Sequence, residues 1–122
     1  MSKRILHIGI ASVEALGQRF IDTWQQAERN EEITPHESVN FEDLATLLAT
    51  LTPKRWALLQ QLHRQGPVSI YALAKSLSRD YKNVHSDVKA LIELGIIERD
   101  ANDKVIVPWD EINIEARIEI AA

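Results

Sequence analysis

Between residues 52 and 95 the sequence is punctuated so closely that only short helices can form there. Thr52-Pro53 is a start: threonine can cap, and proline suits the first helical position, where no N–H is needed. Gly66-Pro67 is a stop. Ser69 and Asp80 are two further caps, each ahead of apolar residues at helical spacing, and Gly95 is the last stop. Trp56, Leu59 and His63, with Leu58 and Leu62 beside them, define a first helix to about Gln65. Ala72, Leu73, Ala74 and Leu77 face inward on a second, and Ser78-Arg79 is a turn. Tyr81, Val84, Val88, Leu91 and Ile92 form the inward arc of a third. Residues 96–99 and 104–107 are apolar, β-prone runs. Asp100-Ala101-Asn102-Asp103 between them carries turn chemistry, so a hairpin follows the third helix.

The flanks read differently. Residues 4–10 alternate, with Leu6, Ile8 and Ile10 on one side, as in a short strand. Ser12 can cap a helix carrying Val13, Leu16, Phe20, Trp24 and Ala27 at helical spacing through about residue 29. The polar stretch ERNEEITPHES, containing Thr34-Pro35, is a loop. Residues 38–41 suggest a short strand, and Leu44, Leu47, Leu48 and Leu51 mark a helix over about 42–51. In the tail Ile112, Ile114, Ala116, Ile118 and Ile120 alternate with Asn113, Glu115, Arg117 and Glu119, the period of a half-buried strand over 112–120. Such pieces have one apolar face each and are unstable alone. The economical expectation buries them together, within one subunit or across a two-fold axis, with the tail strand packed on the N-terminal segment and paired with residues 4–10 or with their dimer mate. Trp24 and Trp56 lie on apolar arcs and are expected in the core.

A chain of 122 residues with 45% hydrophobic residues is one domain, or a small domain with an accessory segment. It has no cysteine, which excludes disulfides and thiolate metal sites. His7, His36, His63 and His85 share no metal-ligand spacing, and the pairs Glu31-Glu32 and Glu42-Asp43 suit a loop and a helix first turn. No glycine-rich phosphate loop and no Gly-x-Ser-x-Gly occurs. The expectation is therefore no catalytic residue, no metal, no cofactor and no enzyme. No apolar run approaches the roughly 18 residues of a membrane span. The start lacks the long apolar region of a signal peptide, so a cytoplasmic location without membrane contact is expected.

Charge is spread unevenly. Residues 1–51 hold 4 Lys/Arg against 8 Asp/Glu, residues 52–108 hold 9 against 6, and residues 109–122 hold 1 against 4. The overall net charge of −4 therefore hides a basic middle. On the third helix, the arc opposite the apolar one holds Lys82, Asn83, Ser86, Lys89 and Ala90, with His85 on the flank. Lys and Ser can bond phosphates or base edges, Asn can pair with adenine, and Ala permits close approach to a groove. A polar solvent-facing arc is also the commonest face of any soluble helix, so the arc alone decides nothing.

The ensemble is more specific. In "VSIYALAKSLSRDYKNVHSDVKALIELGIIER" a Ser69 cap, Leu73-Ala74, Leu77, an Asp80 cap, Leu91 and Gly95-Ile96-Ile97 follow one another as in winged helix-turn-helix modules. Over about 52–108 the chain resembles MarR-like transcription regulators, and the segment "RDYKNVHSDV" is similar to small antitoxin-like DNA-binding regulators. The fold this implies is α+β: a winged helix-turn-helix over 52–108, an N-terminal strand–helix extension over 1–51, and a C-terminal strand over 109–122 forming a dimerisation element. The resemblance implies contacts to double-stranded DNA from Arg79, Lys82, Asn83, His85, Ser86 and Lys89, with the start of the third helix deepest in the major groove. Ser69 would serve a phosphate at its helix start, and Asn102 and Lys104 would lie along the backbone or minor groove from the hairpin tip. Dimerisation would use Leu6, Ile8, Ile10, Ile112, Ile114, Ile118 and Ile120. The implied function is a sequence-specific DNA-binding transcription regulator, a homodimeric and autoregulatory repressor. The competing reading is an antitoxin-type interaction module whose acidic flanks grip a basic toxin protein from an adjacent gene.

Overall fold

The computed structural model describes residues 3–11, 13–29, 37–116 and 120, and of residues 13–16 only the backbone. The architecture is α+β. Strand β1 (Ile5–Ile10) leads to helix α1 (Val13–Glu28), strand β2 (Glu37–Phe41) and helices α2 (Leu44–Thr50), α3 (Pro53–Gln65), α4 (Ile70–Leu77) and α5 (Tyr81–Glu93). The short strands β3 (Glu98–Arg99) and β4 (Val105–Ile106) follow, then β5 (Glu111–Glu115). The expected Ser12 cap, the loop with Thr34-Pro35, the Glu31-Glu32 pair, His36 and Ile118 lie outside the described residues. Among the described residues no helix is long and apolar enough to cross a membrane.

The helix starts follow their caps. Thr52 Oγ1 accepts from Arg55 N–H, Ser69 Oγ from Ala72 N–H, and Asp80 Oδ1 from Lys82 N–H. The stops follow backbone sign. Gly66 and Gly95 have φ of +81° and +82°, a region where a Cβ is strained. Ser78 takes the same left-handed sense without being glycine (φ 53°), and its N–H and that of Arg79 return to carbonyls of α4. This makes the α4–α5 corner tight. Asp100 Oδ1 accepts from the N–H groups of Asn102 and Lys104 and closes the β3–β4 turn. Val68 and Val105 exchange N–H···O bonds of 3.3 and 2.8 Å, which tether the hairpin to the start of α4.

The flanks form one parallel sheet in the order β2-β1-β5. The registers Leu6↔Ile112, Ile8↔Ile114, Ile8↔Val39 and Ile10↔Phe41 put the apolar residues of all three strands except Ile5 on one face. That face packs on α2 and joins the helical core. Leu6, Ile8, Phe41, Leu47 and Leu51 belong to the same buried cluster as Leu58, Leu73, Val88 and Ile96. Leu6 and Ile8 are thus enclosed by their own chain. The other sheet face is polar. Helix α1 lies over it, across a cleft of about 770 Å³, and turns Arg19, Asp22, Thr23 and Gln26 toward His7, Ser38, Asn40, Asn113 and Glu115.

Several expectations need correction. Trp24 is not in the core: it is 60% exposed, with Phe20 and Ile21 also exposed, because α1 turns Arg19, Asp22, Thr23 and Gln26 to a polar sheet face and these three residues away from it. Leu48 is exposed on the outer side of α2, whereas Leu47 and Leu51 are buried. Tyr81 begins α5 and leans outward at 47% exposure, beside Tyr71 and His85. Among the described residues the tail strand covers Glu111–Glu115; Ala116 and Ile120 lie outside it, and Ile120 is 92% exposed. The strand's ladder with β1 ends at the pair Gly9↔Glu115.

Candidate nucleic-acid interface

Helix α5 is fixed from beneath. Val84, Val88 and Leu91 are fully buried, one helical turn apart, against α4 and the sheet-side core. The outward stripe is Lys82, Asn83, Ser86 and Lys89, all exposed; Ala90 and His85 are half-buried on its flanks. The 13 residues of α5 make a rod about 20 Å long, narrow enough for a DNA major groove about 12 Å wide. Tyr71 and Lys75, one turn apart on α4, are also exposed, and the Tyr71 and Tyr81 rings lie 6.5 Å apart, bridging the two helices. Ser69 is exposed at the start of α4 with its hydroxyl oxygen occupied by the cap bond. Asn102 and Lys104 are exposed at the hairpin turn, where Arg99 is drawn back onto Asp103 at 3.0 Å.

Arg79 does not project from this surface. Its guanidinium turns inward to Asp87 at 2.8 Å, and Arg55 of α3 meets the other carboxylate oxygen at 3.1 Å. Arg55 also donates to the Thr50 carbonyl at 2.7 Å. The three side chains are only about one-fifth exposed, so water screens the cluster weakly. Asp87 therefore does not subtract from the outer field; it pins α5 to α3 and to the α4–α5 corner. Arg79 Nη1 is buried with no protein partner. The sequence signal for this lock was faint: Asp87 falls on the edge of the apolar arc, where a carboxylate needs a cation, and Arg55 and Arg79 are in reach only through the fold.

A second hub escaped sequence reasoning entirely. Arg4 bonds Glu37 bidentately (2.9 and 3.1 Å), approaches Glu98 at 3.5 Å, and stacks 4.5 Å above the Trp109 ring. The Glu37 hydrogen bonds raise its pKa above the ordinary arginine value, so it is a fixed cation. Its backbone N–H donates to Asp110. Trp109 is buried and donates its indole N–H to the Ile96 carbonyl at 2.9 Å. The sheet is thereby stitched to the segment just after α5.

The expected interaction residues of the flanks are divided by the fold. Leu6 and Ile8 are internal, Ile10 and Ile112 are half-buried against the core, and Ile114 is 48% exposed at the outer strand.

Comparison with known proteins returns one family. The HVO_A0114 family model matches residues 50–114, from the end of α2 through α5 and the hairpin into β5. No curated protein and no solved structure matches the chain. The matched span is more than half of the 122 residues and contains the whole candidate interface. The chain belongs to the HVO_A0114 family.

Proposed function

We propose that α3, α4, α5 and the β3–β4 hairpin are a winged helix-turn-helix, and that the protein is a sequence-specific regulator of transcription acting on double-stranded DNA as a homodimer. One observation carries the reading. The stripe Lys82, Asn83, Ser86 and Lys89 is fully outward on a helix held rigidly by a buried arc and by the Asp87 lock. A groove-reading helix needs that combination, because base edges are read only if the reader's rotation is fixed. Asn83 and Lys82 take the base-edge and phosphate roles, with Lys89 farther along the stripe. Arg79 serves as a buttress. The hairpin, tethered through Val68, is the wing, and Lys104 its contact to the backbone.

The test is selection of duplexes from a random pool by the full-length protein, followed by anisotropy titration at several salt concentrations. A motif with two-fold symmetry and a linear fall of log affinity with log salt are expected. Enrichment of no motif would remove the reading. A second reading, an interaction module that neutralises a partner toxin, draws on the outward apolar arc of α1 with Phe20, Ile21 and Trp24. Recovery of a stable heterocomplex with the product of a neighbouring gene would favour it.

A further inference from the structure

Among the described residues β5 has a neighbour on one side only, and its other edge is open. The polarity of that edge follows from the strand ends. Ala11 N–H donates to the Phe41 carbonyl, so odd-numbered residues at the end of β1 bond toward β2 and even-numbered ones toward β5. Glu111 N–H accordingly reaches the Arg4 carbonyl at 3.4 Å. Along β5, residues 111, 113 and 115 thus turn their N–H and C=O groups to β1. Those of Ile112 and Ile114 point to the open edge. Beside this edge, between β5 and α3, runs a groove of about 710 Å³ lined by Trp56, Leu59 and Trp109, with Ile112 and Ile114 on its strand side. The opposite edge, β2, offers a second chain no exposed apolar side chain: Phe41 is buried and Val39 half-buried.

We propose that the open edge of β5 is the two-fold interface of the homodimer. Strand β5 pairs antiparallel with β5 of a second copy about an axis at Ile114, and two three-stranded sheets join into one of six. This deepens the homodimer reading above and rests on it. Charge selects the register. An axis at Asn113 would set Glu111 opposite the partner's Glu115, and an axis at Glu115 would face that residue with itself; like charges directly opposite are unfavourable. An axis at Ile112 would set Asp110 against the partner's Ile114 at the groove. The axis at Ile114 sets Asn113 opposite the partner's Glu115, an amide donor against a carboxylate acceptor. It sets Ile112 opposite Ala116 and Ile114 on its own mate, with those side chains over the groove. The outward N–H and C=O groups, without a neighbouring strand among the described residues, then find partners, and Ile114 loses its exposure.

Substitution at the axis separates the possibilities, because the Ile114 N–H points away from β1 and makes no bond in the β1–β5 ladder. Proline there leaves the β1–β5 ladder intact but removes the central inter-copy bond. Sedimentation of the full chain at tens of micromolar should give twice the monomer mass, and Ile114→Pro should give the monomer mass with an unchanged far-ultraviolet spectrum. A folded Ile114→Pro that remains dimeric overturns the β5 interface and leaves a homodimer through some other surface. A monomeric wild type overturns both. If Ile114→Pro does not fold, cysteine decides, since the chain has none of its own. Ile114→Cys should cross-link between copies with a short bismaleimide, and Thr46→Cys on exposed α2 should not. Absence of a link at 114, or a stronger one for Ala116→Cys, overturns the proposal.

Discussion

Asn83 and Lys82 are neighbours on α5, yet different losses are expected from them. Asn83→Ala should cost about 1–3 kcal/mol on the preferred duplex and little on others, relaxing specificity. Lys82→Ala should weaken all duplexes alike and lower the salt slope by about 1. Anisotropy titrations on matched and scrambled duplexes distinguish the two. Asp87→Ala leaves two partly buried arginines facing each other, and a loss of about 2 kcal/mol is expected in urea unfolding, before any DNA is added. Asp43 caps α2 by accepting from Thr46 N–H at 2.7 Å, and the hydrogen bond from the Thr46 side chain first, then that from its backbone N–H, hold its pKa below the ordinary aspartate value. A depressed carboxylate contributes stability above its unfolded pKa and loses it as pH falls through the folded one. Asp43→Asn, which keeps the accepting oxygen, should therefore flatten the acid limb of a melting-temperature profile. Burial at this scale was only partly legible. Val84, Val88 and Leu91 followed from spacing, but Trp24 and Tyr81 did not, because periodicity marks an apolar arc without saying whether a neighbour meets it.

The helices from α2 to α5 could be read from sequence because their boundaries are chemical and local: a hydroxyl or carboxylate at each start, a positive φ at each glycine stop. Gly95→Ala should cost about 1 kcal/mol through the left-handed backbone at φ +82°, visible as a lower urea midpoint with an unchanged slope. The strands were legible, and so was the pairing of the tail strand with the N-terminal one, but not the sheet they build with β2. Alternation in β1 and β5 says that each has two faces. It does not say that they run parallel, that β1 is central, or that the ladder stops at Glu115. Those depend on partners about a hundred residues apart in sequence, such as Leu6 and Ile112. The orientation of α1, polar side down, was likewise invisible. It depends on the polar sheet face beneath it.

For the molecule as a whole, the basic middle and the acidic flanks share one core, although their charge suggests separate units. Removing residues 1–51 and 109–122 would strip Leu6, Ile8, Phe41, Leu47, Leu51 and Trp109 from a common cluster. Each buried aliphatic contributes about 1.5–3 kcal/mol before entropy is counted. The fragment 52–108 is therefore expected to lose fixed tertiary packing. Near-ultraviolet circular dichroism and dye binding on the fragment would read this directly, and a fragment as stable as the full chain would contradict it. The indole of Trp109 has one more consequence. Its bond to the Ile96 carbonyl ties the root of the tail strand to the exit of α5, with Arg4 clamped over its ring. No hinge separates the outer strand from the outward stripe of Lys82 and Asn83, so a symmetric pair built on that strand is a caliper with its jaws set. Such a tool measures as well as grips. One base pair inserted between the halves of its target turns one half by about a tenth of a helical turn, and it should abolish high-affinity binding although no contacted base has changed.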